Sequence, residues 1–167
     1  VHFVSTETKE ILQSFRHEIG RDDGLRSNSV YSLMVDRDGL IWVGFYQMGL
    51  DYTMYQSGLF STYSFPPYFD SKDVSIRSMA IGTHEKLLGS RDGLFYIDEK
   101  NNRFKSFKKP QLRSDIILSI HESGGKYYVG TYGGGMYVFE SSTMTIHDFE
   151  PGDPMPFIRG HVFSIRS

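Results

Sequence analysis

The chain has 167 residues, of which 39% are hydrophobic and 15% aromatic, and its formal net charge is −2. A chain of this length can bury one core of ordinary size, and its nearly neutral charge gives no reason to expect nucleic acid or an anionic membrane as partner. Without cysteine there is no disulfide framework and no thiolate metal site, and no apolar run approaches the length of a membrane span. The 17 glycines indicate many tight turns, which are typical of an all-β chain.

A short apolar block around a serine occurs four times along the chain. The serines recur every 41 to 46 residues, at Ser32, Ser78, Ser119 and Ser164. Because Val or Ile, serine and another aliphatic residue are spaced alike in all four copies, the block predicts the same element each time. We expect first strands at Val30–Val35, Ile76–Ile81, Ile117–His121 and Val162–Ile165.

Three more apolar runs follow the block in each full repeat. The second run ends in a glycine and the third begins with one; the fourth carries two apolar residues three apart. These features are Gly44, Gly89 and Gly130, then Gly49, Gly93 and Gly135, and finally Phe60/Tyr63, Phe104/Phe107 and Ile146/Phe149. Turn-forming residues separate the runs, as in Asp36-Arg37-Asp38-Gly39 and Gly133-Gly134-Gly135.

One segment near the start is compatible with two structures. Residues 9–19 place Ile11, Phe15 and Ile19 four apart, which is the spacing of a helix. The strand interpretation is favoured because Leu12 and Phe15 occupy the position of the fourth run.

Four short strands per repeat of this length predict an all-β chain: a β-propeller fragment of about four blades, each a four-stranded antiparallel sheet. One small sheet cannot bury both faces alone, whereas sheets stacked around an axis cover each other. The partial propeller, 1–167, is expected to divide into the end of a blade at 1–20, blades at 21–66, 67–110 and 111–152, and the start of a blade at 153–167. Since neither terminus coincides with a blade boundary, we expect the chain to come from a longer protein.

The unit from Leu25 to Gly44 resembles the two-component regulator propeller repeat. That family's pattern is a leucine, a small polar pair, a Val-x-x-Ile strand and Asp-x-x-Gly, followed by Leu-Trp-Ile-Gly-Thr and Gly-Gly-Leu. Here Asp36-Arg37-Asp38-Gly39-Leu40-Ile41-Trp42-Val43-Gly44 matches its centre, and Tyr128-Val129-Gly130-Thr131 matches its end in the third repeat. The middle repeat departs from it, with Leu87 where tryptophan is usual and Thr83-His84-Glu85 in place of the Asp-x-x-Gly turn.

The resemblance implies a function for the parent protein rather than for a site in this segment. Propellers of this family form the extracytoplasmic sensor of Bacteroidetes hybrid two-component histidine kinases, which implies a periplasmic location and detection of oligosaccharides for glycan utilisation. Kinase, phosphoacceptor and receiver elements are absent from this sequence. We therefore expect this segment to have no enzymatic activity and no cofactor.

Several motifs suggest sites that a structural role explains better. Trp42 could stack on a sugar, but Leu87 and Tyr128 replace it in the other repeats, so packing between blades is expected. The Gly133-Gly134-Gly135 run lacks the lysine and helix of a phosphate loop and is expected to be a turn. The Asp36–Gly39 segment lacks the remaining ligands of a calcium loop and is expected to be a hairpin turn. The six histidines are scattered, and we expect no metal site.

Ligands of propellers usually bind the face formed by the loops between second and third strands and between successive blades. In these loops the sequence offers aromatic, carboxylate and planar donor groups, a mixture suited to a hydroxyl-rich ligand. The candidate residues are Tyr46, Gln47, Arg91, Asp92, Tyr132, Arg113, Asp115, Arg159 and His161. Arg26, Asn28, Tyr68 and Asp70 lie in the same loops.

Two other functions remain open on the sequence alone. A glycan-active hydrolase or lyase could use this scaffold, with Asp70, Asp92 and Asp115 as the carboxylates, although no spacing argues that they converge. The chain could instead be a protein-interaction scaffold. Expected partners are a small oligosaccharide, the remaining blades of the parent chain and a second copy in a homodimer, with neither nucleic acid nor membrane contacting this segment.

Overall fold

A computed structural model of the chain describes residues 1–54, 59–65, 74–149 and 160–166. Within these residues the secondary structure is entirely β. The strands are β1 (His2–Val4), β2 (Ile11–Ser14), β3 (Val30–Val35), β4 (Leu40–Phe45), β5 (Leu50–Met54), β6 (Ser61–Thr62), β7 (Ser78–Ile81), β8 (Glu85–Gly89), β9 (Leu94–Asp98), β10 (Arg103–Phe107), β11 (Ile117–Ser123), β12 (Lys126–Thr131), β13 (Met136–Glu140) and β14 (Thr145–Asp148). The described residues contain no helix long and apolar enough to cross a membrane.

The strands form three four-stranded antiparallel sheets in which consecutive strands are neighbours. We call them sheet I (β3–β6), sheet II (β7–β10) and sheet III (β11–β14); β1 and β2 pair alone in a short sheet. The strand interpretation of residues 9–19 is confirmed for β2, because Ile11 pairs with Val4 and Gln13 with Phe3. The predicted all-β propeller architecture is confirmed, with three complete sheets and one of two strands.

The structure confirms one predicted first strand in full and changes the bounds of two others. The strand at Val30–Val35 is confirmed with both bounds, and β11 starts at Ile117 as predicted but continues to Ser123. In sheet II the strand begins at Ser78, since the N–H of Ile76 is bonded to the Phe45 carbonyl of sheet I at 3.1 Å instead of to β8.

The fourth predicted first strand, Val162–Ile165, is wrong for the described residues. No second strand pairs with it there, and a strand needs a neighbour that shares its ladder of hydrogen bonds. Val162 nevertheless occupies the place of a first-strand residue. Its N–H donates to the Thr131 carbonyl at 3.0 Å, and its own carbonyl accepts from Ser119 Oγ at 3.1 Å.

The cores of the molecule lie between successive sheets. Trp42, Met79, Leu88 and Phe95 belong to the core between sheets I and II, where Trp42 is 5% exposed. The predicted position of Trp42 between blades is therefore confirmed. Leu87, Tyr96, Val129 and Phe139 fill the core between sheets II and III, and Phe15, Val43, Phe45 and Phe60 lie between the short sheet and sheet I.

Sheet II is covered on both faces, and its composition reflects this. All five residues of β9 are buried, as are the last four of β8. A strand buried on both faces is mostly apolar rather than alternating, as in Leu94–Ile97, and the buried charges of sheet II, Lys86 and Asp98, are paired. Burial of each large side chain contributes about 1.5–3 kcal/mol, so the sheets stabilise one another through these faces.

One lysine lies inside the interface between sheets I and II. Lys86 is 4% exposed, and its Nζ lies 5.4 Å from the centre of the Trp42 ring and 5.1 Å from that of Tyr63. Glu99 accepts from this ammonium group at 2.7 Å and from the Tyr63 hydroxyl at 2.7 Å. Two ring faces and one carboxylate thus replace the water that the charge loses on burial.

Candidate ligand-binding face

One end of the three sheets carries the loops that the sequence singles out. In a sequential antiparallel sheet, the end of the second strand and the starts of the first and third strands share one edge. This edge carries the turns 46–49, 90–93 and 132–135, together with the connections 24–29, 108–116 and 160–161. We call this end of the molecule the loop face.

Tyr46 belongs to an aromatic and cationic cluster on the loop face. Its ring centroid lies 5.4 Å from that of Tyr31, and the guanidinium carbon of Arg77 lies 5.1 Å from the centre of the Tyr31 ring. Tyr31 is 44% exposed, which leaves part of its ring free for a ligand. Tyr31 and Arg77 are not among the candidates that the sequence predicts, because both precede the repeated serine, within blocks that indicate strands.

Gln47 shapes the turn beside this cluster. Its backbone is left-handed, with a φ of 55°, and its N–H donates to Ser75 Oγ at 3.1 Å. A depression of about 400 Å³ opens next to it, lined by residues that include Arg26, Met48 and Phe65. Gln47 is therefore placed both to fix the turn and to border a shallow pocket.

Tyr132 and His161 form a second cluster on the loop face. Their rings are stacked, with centroids 3.9 Å apart and planes 21° apart, and Phe163 lies 5.9 Å from His161. Gly133 lies below this stack, since an added Cβ there would come within 3.6 Å of the His161 ring. Tyr132 is 47% exposed, so the structure brings two predicted residues together on an accessible surface.

Arg91 and Asp92 lie in the exposed turn of sheet II. The Asp92 N–H donates to Ser90 Oγ at 2.8 Å, which fixes the turn through the main chain. The side chains of Arg91 and Asp92 make no hydrogen bond or ion pair with the part of the chain that the structure describes. Both are open to a ligand.

The Arg113 side chain links separate parts of the loop face through hydrogen bonds. Its guanidinium donates to Asp148 at 2.5 Å and to the Gly134 carbonyl at 3.3 Å. The hydrogen bond to Asp148 is the main cause that raises the pKa of Arg113 above its usual value. Arg26 repeats this arrangement in sheet I, where it donates to the Met48 carbonyl at 2.8 Å and to Asp51 at 2.6 Å.

The remaining candidates either accept hydrogen bonds from the main chain or lie outside the described residues. Asp115 accepts the Lys109 N–H at 2.7 Å, and Asn28 accepts the His17 N–H at 2.8 Å. Arg159, Tyr68 and Asp70 lie outside the described residues. Among the described residues, no group of three His, Asp or Glu side chains is placed to hold a metal ion.

A groove of about 630 Å³ lies at the opposite end of the sheets and was not anticipated from the sequence. Glu85, Glu122 and Tyr127 are among the residues that line it. Burial, followed by the nearby Glu85 and Glu122 carboxylates, raises the pKa of Tyr127 to about 12. Because Glu122 is paired with Arg37 at 3.3 Å, and because Asp36 and Asp98 are hydrogen-bonded within their own turns, most acidic groups of this groove already have partners.

The stacked sheets and the loop face define the class of this protein: it is a segment of a β-propeller. Residues 24–47 match the two-component regulator propeller family. The resemblance noted from the sequence is thus confirmed, and this part of the chain is a two-component regulator propeller repeat. A search of curated proteins found no match.

Solved structures share the fold over most of the chain. The extracellular domain of the hybrid two component system BT3049 from B. thetaiotaomicron aligns over 98% of this chain and 21% of its own, with 19% identity and a TM-score of 0.77. The extracellular domain of the one component system BT4673 from B. thetaiotaomicron aligns over 86% and 19%, with 22% identity and a TM-score of 0.61. PorZ, a surface component of the type-IX secretion system of Porphyromonas gingivalis, aligns over 84% and 21%, with 19% identity and a TM-score of 0.59. The chain spans about a fifth of the length of each of these proteins.

Proposed function

We propose that this chain is a segment of the extracytoplasmic sensor propeller of a hybrid two-component histidine kinase, and that its loop face binds an oligosaccharide. The family repeat at 24–47 and the fold shared with extracellular domains of such systems support the sensor assignment. On this proposal the segment is periplasmic and the kinase lies elsewhere in the parent protein.

One observation carries the ligand proposal: two exposed ring clusters lie on the same face. The Tyr31–Tyr46 pair and the Tyr132–His161 stack offer flat apolar surfaces, on which the C–H face of a pyranose can pack. Arg77, Arg91 and Gln47 offer planar donors around them for sugar hydroxyls. Aromatic platforms flanked by convergent polar groups are typical of small-molecule sites.

We propose that the segment binds its ligand without converting it. A glycosidase needs two carboxyl groups set across one bond, at a separation of about 5–9.5 Å. Here Asp115 already accepts a main-chain N–H, and Asp92 lies in the turn of another sheet. The bond to the Lys109 N–H gives Asp115 a structural role in its loop, which favours binding over hydrolysis.

Titration calorimetry of the 167-residue chain with a panel of plant and host oligosaccharides tests this function. We expect at least one sugar to bind, and we expect Tyr132→Ala and Tyr46→Ala each to weaken it by about tenfold. Leu12→Ala, an exposed apolar side chain on β2, is the matched control and should leave affinity unchanged. If no sugar binds, the ligand proposal fails; if the bound sugar is cleaved during incubation, the enzyme alternative replaces it.

A further inference from the structure

The middle repeat carries arginine at the two positions that carry tyrosine in the first repeat. The residue before the repeated serine is Tyr31, Arg77, Leu118 or Phe163 in successive repeats. The second residue after the second-strand glycine is Tyr46, Arg91 or Tyr132. Sheet II therefore replaces both members of a ring pair with guanidinium groups.

These two positions are neighbours on the loop face. In sheet I their counterparts, Tyr31 and Tyr46, have ring centroids 5.4 Å apart. In sheet II the Arg77 N–H donates to the Gly89 carbonyl at 2.9 Å, only two residues before Arg91. The repeat thus places the two arginines on neighbouring strands at the loop face of sheet II, which lies between the sheets that carry the Tyr31–Tyr46 pair and Tyr132.

Neither cation is neutralised by the described part of the chain. Arg77 Nε is buried without a hydrogen-bond partner, and Arg77 packs its guanidinium against the Tyr31 ring. Arg91 has no ion pair there either, and the neighbouring Asp92 directs no hydrogen bond to it. By contrast Arg26 and Arg113, on the same face, are held by Asp51 and Asp148.

Two like charges on neighbouring strands repel each other when no carboxylate is paired with either, most of all where rings and main chain displace water. An anion placed between them removes this repulsion and gains hydrogen bonds from planar donors that suit a carboxylate or sulfate. We propose that the loop face takes an oligosaccharide bearing such an anionic group, with the anion on Arg77 and Arg91 and neighbouring sugar rings on the flanking aromatic clusters. This inference rests on the proposed function and specifies the class of its ligand.

Matched pairs of charged and neutral sugars test the inference on the 167-residue chain. The probes are trigalacturonic acid with its methyl ester, and a sulfated galactan tetrasaccharide with its desulfated form. By titration calorimetry we expect one anionic probe to bind at least tenfold more tightly than its neutral partner, and the pair that shows this identifies carboxylate or sulfate. Arg77→Gln and Arg91→Gln should each weaken that binding by about tenfold, whereas Arg37→Gln, on an exposed side chain at the opposite end, should not change it.

Each contrary result has a defined meaning. Equal binding of a charged probe and its neutral partner overturns the inference but leaves the proposed function standing. Anion binding that persists in the Arg77→Gln/Arg91→Gln double variant also overturns it. If none of the four probes binds, the inference fails, while a neutral sugar from the wider panel that binds through Tyr132 would still support the proposed function. Because Arg91 lies in an exposed turn, Arg91→Gln remains informative even if Arg77→Gln does not fold.

Discussion

The hydroxyl of Ser32 donates a 3.0 Å hydrogen bond to the main-chain carbonyl of Ile76, which lies 44 residues later and precedes the next sheet. Ser119 makes the same bond to Val162 at 3.1 Å. Both serines face a glycine of the second strand, Gly44 and Gly130. The serines of sheets I and III thus bond to the segment that follows each sheet, whereas Ser78 Oγ in sheet II is buried without a hydrogen-bond partner.

Gly44→Ala is expected to destabilise the chain by about 1–3 kcal/mol, the usual cost of overpacking a filled interface. A Cβ at this position would lie 2.7 Å from the Ile76 carbonyl oxygen and also contact Ser32 Oγ, so the two sheets would have to separate. Urea unfolding measures the change in the free energy of unfolding. The control is Gly82→Ala, where a Cβ meets its nearest atom, the Glu85 carbonyl, at 3.5 Å. Equal stability of both variants would contradict the proposed role of the glycine.

Asp36→Ala is expected to cost roughly 1–3 kcal/mol, because it removes the acceptor of three hydrogen bonds. The Asp36 carboxylate accepts from the N–H groups of Asp38 at 3.0 Å and Leu40 at 2.9 Å, and from Trp42 Nε1 at 2.8 Å. Trp42 is the single tryptophan, so its fluorescence reports unfolding and the loss of its own partner. Asp38→Ala, in the same exposed turn, should change stability by less than about 0.5 kcal/mol. A similar loss in both variants would show that the turn, and not the Asp36 carboxylate, is what matters.

The repeat made most of the fold predictable, since serine, glycine and turn residues are local signals with a fixed period. What the sequence could not show depends on partners far along the chain. Arg113 was a ligand candidate, but it is bonded to Asp148, 35 residues away. Tyr31 and Arg77 were assigned to strands because their blocks were apolar, and only the contact between sheets brings them to the loop face. Val162 had the correct spacing, yet spacing cannot supply the neighbour that a strand requires.

The acid sensitivity of the chain is expected to depend on Asp98. Burial alone would raise the pKa of Asp98, but hydrogen bonds from Asn101 and Arg103 outweigh it and hold the pKa below the ordinary value of 3.8. A carboxyl whose pKa is lowered by folding stabilises the folded state above its unfolded pKa, and this contribution is lost as the pH falls through the folded value. Asp98→Asn should therefore lose less stability than the parent chain between pH 5 and pH 3, measured by urea unfolding.

Folding shifts the pKa of Asp51 in the opposite direction to that of Asp98. Its burial outweighs the attraction of Arg26 and raises the pKa of Asp51, so the folded state holds this proton more tightly and gains stability as the pH falls. Asp51→Asn removes that gain and should make the acid loss steeper than in the parent chain. Parallel pH profiles for the two variants would contradict the assignment of opposite shifts.

Self-association of the chain is expected to depend on the face of sheet I that is turned away from sheet II. Leu33 and Val35 are 54% and 64% exposed there, whereas Met79 and Ile81, at the same positions of sheet II, are 8% and 5% exposed because sheet I covers them. The part of this face that the short sheet leaves uncovered is an apolar patch of the kind that drives association, and a second copy can cover it. Light scattering of the 167-residue chain at micromolar concentration should show a mass above that of a monomer. Leu33→Thr/Val35→Thr, which keeps residues suited to a strand, should shift the mass towards the monomer.

The control variant is Ile19→Thr, at a single apolar side chain that is 98% exposed, and it should leave the mass unchanged. A parent chain that is already monomeric at this concentration would show that the face does not pair with itself.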